Sequence, residues 1–140
     1  MQNTNFSITT VYKNWLSSVK NDKTTETELK SIENNEKEIT DRFYCDLKFG
    51  TGGLRGKLGA GTNRMNVYTV GRATRGLAAY INKTASGNKS VVIAYDSRNM
   101  SRKFAFLAAD ILSEAGVKAY IFNTIMPTPV LSFAVRYLKT

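Results

Sequence analysis

SVVIAYDSRNMSRKFAFLAADILSEAGVKAYIF, residues 90–122, reads as strand, helix and strand. Ser90 to Tyr95 is a short β-branched apolar run of the kind found in a strand buried on both faces. Asp96 to Met100 is a polar loop. Ser101 can cap a helix that carries Phe104, Leu107, Ala108, Ile111, Leu112 and Ala115 on one face. Gly116 then stands where a left-handed C-terminal residue is wanted, and Lys118 to Phe122 reads as a second strand. A single helix between two strands is a βαβ unit, which predicts parallel strands joined by a right-handed crossover. The chain is therefore expected to be an α/β protein.

Downstream, Thr128 opens another helix with Pro129 in its first turn, where the missing amide hydrogen costs nothing. Its expected buried face is Val130, Phe133, Ala134, Tyr137 and Leu138. A parallel sheet normally has both faces covered, and such a helix should lead into a further strand. The expectation is an incomplete three-layer α/β domain with a small, partly parallel sheet, interrupted after Thr140.

Upstream, Asn66 can cap a helix with Val67, Val70, Leu77, Ala78 and Ile81 facing inward, ending near Asn82. Residues 1–48 differ in character. Ile8, Val11, Tyr12, Trp15 and Val19 form one helical stripe over residues 8–20. Thr25 with Glu28, and Asn35 with Glu38, have the spacing of helix starts ahead of Leu29 and Ile39. The expected organisation is a helical extension over 1–48 and an α/β domain over 49–140.

Composition bounds the chemistry. With 140 residues and 42% of them apolar, the chain can build a core. No run approaches the roughly 18 apolar residues of a membrane span, and MQNTNFSITT lacks the form of a signal peptide, so a cytoplasmic location and no membrane partner are expected. The absence of histidine excludes Ser-His-Asp and Cys-His nucleophile pairs and HExxH zinc sites within this chain. Cys45, the single cysteine, reads as a small buried hydrophobe. The net charge of +9 is uneven: residues 1–48 hold seven basic and eight acidic side chains, and 49–140 hold thirteen and three. The second part seeks anions, whether phosphorylated substrates, nucleic acid or an anionic surface.

The sharpest local signal is FGTGGLRGKLGAG, residues 49–61, with six glycines from Gly50 to Gly61. This is a loop, with room at most for a short strand. Backbone N–H groups without neighbouring β-carbons can approach a phosphate closely, and Arg55 between glycines is suited to bidentate capture of a phosphate or a sugar hydroxyl. Standard phosphate motifs do not fit. A P-loop would need glycine at Thr51 and a hydroxyl at Leu58. A dinucleotide fingerprint would need glycine at Arg55 or at Arg64. Tight turns alone would also account for the glycines.

Phe49-Gly50-Thr51-Gly52-Gly53-Leu54-Arg55-Gly56 resembles the FGTxGLRG signature that opens the first domain of the α-D-phosphohexomutases, the phosphoglucomutase/phosphomannomutase family. Gly61 to Asn66 with Tyr68 to Val70, Ala94 to Arg98 with Ser101, and Pro127 to Pro129 with Leu131 to Phe133 are similar to successive family segments. Residues 1–48 resemble the extension of the larger phosphoglucomutase/phosphopentomutase branch. Gly52, where many members have Ser or Ala, and Ala94, where glycine is commoner, are departures.

The resemblance implies phosphoryl transfer between the 1- and 6-positions of a hexose through a bisphosphorylated sugar. It also implies a phosphoserine supported by Mg2+, and glucose 1,6-bisphosphate as activator. It implies substrate contact for Arg55, with Thr51 beside it, and remaining domains of a parent enzyme as partners. No catalytic residue and no metal ligand is assigned to this chain, because the corresponding loops would follow it. Mannose and pentose phosphates are alternatives to glucose. Asp96 and Arg98 match a family segment but read as a loop brace.

Two rivals belong to other classes. A nucleic-acid-binding module is motivated by the basic excess. It is disfavoured because Tyr80, Phe104, Phe106, Tyr120, Phe122, Phe133 and Tyr137 fall in expected helices or strands rather than along a basic loop, whereas stacking platforms need exposed rings. A non-catalytic sugar-phosphate-binding domain is the other.

Overall fold

In the computed structural model, residues 7–50 and 53–140 are described, and they form two compact units that divide between Thr69 and Val70. The chain is α/β, as expected, with elements in the order α1 (Ile8–Ser18), α2 (Lys23–Ser31), α3 (Glu36–Phe43), β1 (Phe49–Gly50), β2 (Gly53–Leu54), α4 (Val67–Thr84), β3 (Ser90–Ile93), α5 (Ser101–Glu114), β4 (Lys118–Ile121) and α6 (Thr128–Leu138).

The first unit is helical because its apolar stripes converge. Tyr12 and Val19 from α1 and its C-terminus meet Leu29, Ile32, Ile39, Phe43 and Ala60 in one core, with Ile8, Val11 and Trp15 packed at its margin. The Tyr12 and Trp15 rings each meet Phe43 edge-on, both at 5.7 Å, and the Tyr12 hydroxyl donates to the Leu29 carbonyl at 3.0 Å. A side chain as fully buried as Leu29 contributes roughly 1.5–3 kcal/mol. The start of α2 departs from expectation. Asp22 is the cap and accepts from the Thr25 amide at 3.1 Å, so the helix begins ahead of Thr25. Asn35 caps α3 as expected, accepting from the Glu38 amide at 3.1 Å.

The second unit holds the βαβ unit. β3 and β4 are parallel, with Val91 opposite Ala119 and Ile93 opposite Ile121. Ala78 of α4, Leu112 of α5 and Val117 form the core, backed by Ile81, Val91, Ile93 and Ala119. Gly116 takes φ +76° after α5, as expected of a left-handed terminus.

Several burial expectations are corrected. Among the described residues this sheet has two strands, so β3 is half-buried rather than covered on both faces. Leu77 of α4 is exposed, and no residue of α6 is buried: Phe133 and Tyr137 stack on each other at 5.7 Å on an open face. Amphipathic spacing marks which side chains share a face, but burial also needs a second element, and although α6 meets β3 its Phe133 and Tyr137 stay open among the described residues. Cys45 is half-buried, on the turn after α3 rather than inside the helical core. Ser101 does not cap α5. Met100 occupies the cap position at φ +66°, and the Ser101 hydroxyl instead accepts from the Asp96 amide at 3.2 Å.

Candidate functional site

The glycine-rich segment contains a short antiparallel pair, Phe49 opposite Leu54 and Gly50 opposite Gly53. Arg55 follows directly. It is exposed, and its guanidinium makes no hydrogen bond or ion pair among the described residues. Thr51, the other expected substrate contact, lies outside the described residues.

Beyond Arg55 the segment turns back and is fixed to the helices. The Met65 amide donates to the Lys57 carbonyl at 2.8 Å, and the Gly59 amide to the Met65 carbonyl at 3.2 Å. Residues 62–64 then zip along the end of α3. The Leu47 amide donates to the Thr62 carbonyl at 2.8 Å, the Asn63 amide to the Arg42 carbonyl at 2.9 Å, and the Thr62 hydroxyl to the Cys45 carbonyl at 2.7 Å. The Asn66 amide NH2 donates to the carbonyls of Gly59 and Gly61 at 2.8 and 2.9 Å. Its Oδ1 meanwhile accepts from the amides of Tyr68 and Thr69 at the head of α4. Asn66 is therefore the expected cap and also the staple that closes the loop.

Two arginines anchor this limb. Arg64, 5% exposed, donates to both the carboxylate and the backbone carbonyl of Asp41. Arg42 donates to Glu28, to Glu38 at 3.0 Å and to the Ala60 carbonyl at 3.2 Å. Glu28 in turn accepts from the Ala60 amide at 3.1 Å. The expected capping role of Glu28 is thus replaced by a contact 32 residues along the chain. Its spacing from Thr25 suggested a helix start, and nothing local in the sequence pointed to Ala60.

The hydrogen bond from Arg64, reinforced by its charge, holds the Asp41 carboxyl below the usual carboxylate range. A folded-state value below the unfolded one means that this contribution is complete above the unfolded pKa of about 3.9 and is lost as pH falls through the folded value. In an acid titration followed through the Asn63 amide resonance, release of the loop is expected to begin below about pH 4. The step attributable to this pair should vanish in Asp41→Asn; an unchanged step would assign it to another carboxylate, such as Asp22.

In the second unit, Asp96 and Arg98 form the expected brace: Arg98 Nε donates to Asp96 at 2.7 Å and the Arg98 amide to the same carboxylate at 3.2 Å. They border an open cleft of about 850 Å³ shared with Tyr95, Arg102, Phe106 and Ile125. The aromatic argument against nucleic acid needs correction, since Tyr80, Phe106, Phe133 and Tyr137 are exposed although they do lie on helices. Among the described residues no group of three or more carboxylates or thiolates is placed to hold a metal ion. None of their helices is long and apolar enough to cross a membrane.

Comparison with known proteins bears on the same segments. Residues 46–140, more than half of the chain, match the family model described as phosphoglucomutase/phosphomannomutase, alpha/beta/alpha domain I. A phosphoglucomutase of Staphylococcus haemolyticus is 46% identical over 98 residues, which are 70% of this chain and 18% of that protein. One from Staphylococcus epidermidis is 41% identical over 113 residues, 79% of this chain and 20% of that protein. One from Staphylococcus aureus is 43% identical over 103 residues, 74% and 18% respectively. The chain thus spans about a fifth of the length of these curated relatives. No solved structure matches it. With the FGTGGLRG sequence, the parallel βαβ unit and this match in agreement, the chain belongs to the phosphoglucomutase/phosphomannomutase family, matching its domain I over residues 46–140.

Proposed function

We propose that this polypeptide supplies the substrate-facing arginine of a phosphoglucomutase-type enzyme interconverting glucose 1-phosphate and glucose 6-phosphate. In this reading residues 49–140 are the first part of domain I and residues 1–48 a helical extension. The observation that carries the reading is Arg55: an exposed guanidinium, unpaired among the described residues, immediately after a short antiparallel pair and ahead of a glycine-rich limb that is pinned down. Phosphoryl transfer depends mainly on positioning and charge neutralisation, and a planar fork of donors suits a phosphate that must turn over between two positions. That these relatives are phosphoglucomutases favours glucose over mannose or pentose phosphates.

In the same reading the phosphoserine and the Mg2+ ligands belong to parts of the parent enzyme outside these 140 residues, and glucose 1,6-bisphosphate is its activator. The setting is cytoplasmic. The 140-residue chain is expected to give no turnover in a coupled assay with glucose 1-phosphate, glucose 1,6-bisphosphate and Mg2+, while the full-length enzyme containing it turns over. Clear turnover by the chain alone would refute the assignment of the nucleophile elsewhere. No activity of the full-length enzyme on glucose 1-phosphate, but activity on mannose 1-phosphate or ribose 1-phosphate, would move the substrate.

A further inference from the structure

Resting on the reading of Arg55 as the substrate contact, we propose that the helical extension acts as a positioning element for that arginine: Glu28 of α2 and Arg42 of α3 clamp Ala60, and thereby hold the glycine loop from its far end.

The clamp is a closed circuit. Glu28 Oε1 accepts from the Ala60 amide and from Arg42 Nη1, while the same Arg42 nitrogen donates to the Ala60 carbonyl. Both backbone polar groups of one buried residue, Ala60 at 2% exposure, are therefore satisfied by two oppositely charged side chains from two different helices. Glu38 holds the other side of the Arg42 guanidinium. The approach is possible only because the flanking residues lack side chains. A β-carbon on Gly59 would lie 2.8 Å from Glu28 Oε1, and one on Gly61 would lie 2.7 Å from the Arg42 carbonyl oxygen. Arg64, buried against Asp41, secures the next turn.

A plain helix-packing role does not need this construction. The helices already share a hydrophobic core, and Glu28 faces the loop instead of joining the pairs that Glu26 makes with Lys23 and Lys30 along α2. Between Ala60 and Arg55 lie only four residues, so freedom at Ala60 becomes freedom at Arg55. A charged fork that must meet a phosphate oxygen loses effectiveness with displacements on the order of an ångström. Glu28 and Arg42 act through Arg55 and are positioning residues.

The test uses the full-length enzyme with Glu28→Ala, Glu28→Gln, Arg55→Ala and the Glu28→Ala/Arg55→Ala double variant. Amide exchange at Ala60 is followed alongside kcat and KM. Glu28→Ala is expected to speed exchange at Ala60 and to lower kcat/KM, each by about tenfold, the scale of one charge-assisted hydrogen bond. Glu28→Gln keeps an oxygen acceptor for the Ala60 amide and should recover most of both effects. In the Arg55→Ala background, Glu28→Ala should cost almost nothing further, because the residue it positions is gone.

Equal losses from Glu28→Ala in both backgrounds would overturn the proposal, since they would mark a general structural effect. So would faster exchange at Ala60 with unchanged kcat/KM. Failure of the underlying reading looks different: Arg55→Ala itself would then leave kcat/KM untouched.

Discussion

Arg55→Ala in the full-length enzyme is expected to lower kcat/KM by about ten- to a hundredfold with no loss of thermal stability. The size follows from the bond type: a hydrogen bond between charged partners is worth roughly 1.5–3 kcal/mol, and each 1.4 kcal/mol is tenfold. Stability should not follow, because the side chain is exposed and engaged by no ion pair among the described residues. Arg55→Lys separates charge from geometry. Lysine restores the positive charge without the planar pair of donors, so it should recover only part of the lost rate if bidentate capture matters. Steady-state kinetics with glucose 1-phosphate, beside a thermal melt of each variant, decide the case. An Arg55→Ala enzyme with unaltered kcat and KM would remove the basis for placing a phosphorylated sugar at this loop.

How much of this was legible beforehand differs by the range of the interaction involved. Local features are legible in the sequence. The parallel pairing of Val91 with Ala119 follows from strand, helix and strand in that order, and the caps at Asn35 and Asn66 involve donors two or three residues away. Local patterns that allow two solutions mislead. Thr25 and Glu28 have capping spacing, but Asp22 captures the Thr25 amide and hydroxyl, leaving Glu28 free to reach the loop. At Ser101 the same thing happens, with the hydroxyl bonding to Asp96 while Met100 takes the cap position.

Long-range contacts carried no sequence signal at all. Glycine at 59 and at 61 announces a turn, but not that Glu28 and the Arg42 carbonyl occupy the space where β-carbons would be. Arg64 reads as one more member of a basic excess, yet it is buried against Asp41, 23 residues away. The apolar face of α6 was legible as a face and misread as buried, because periodicity identifies a surface without naming its partner.

The largest loss of stability is expected from Gly61→Ala. Gly61 has φ +132°, a conformation that costs a residue with a β-carbon on the order of 1–3 kcal/mol. Space is the second obstacle. The added carbon would lie 2.7 Å from the Arg42 carbonyl oxygen and 2.9 Å from Arg42 Cβ, and a helix-end carbonyl cannot move aside as the tip of a flexible chain can. Any retreat of the loop would also break the Asn63 amide bond to that same carbonyl and disturb the bonds Asn66 makes to Gly59 and Gly61. Strain and overpacking together amount to about 3 kcal/mol or more, which for a unit of this size lowers Tm by roughly 12 °C or more. Gly76 supplies the control. It lies inside α4 with nothing within 4 Å of a built β-carbon, so Gly76→Ala should raise stability by about 0.5–1 kcal/mol. Thermal melts of the two variants should thus move in opposite directions; a Gly61→Ala protein as stable as the parent would mean that the loop does not lie against the end of α3.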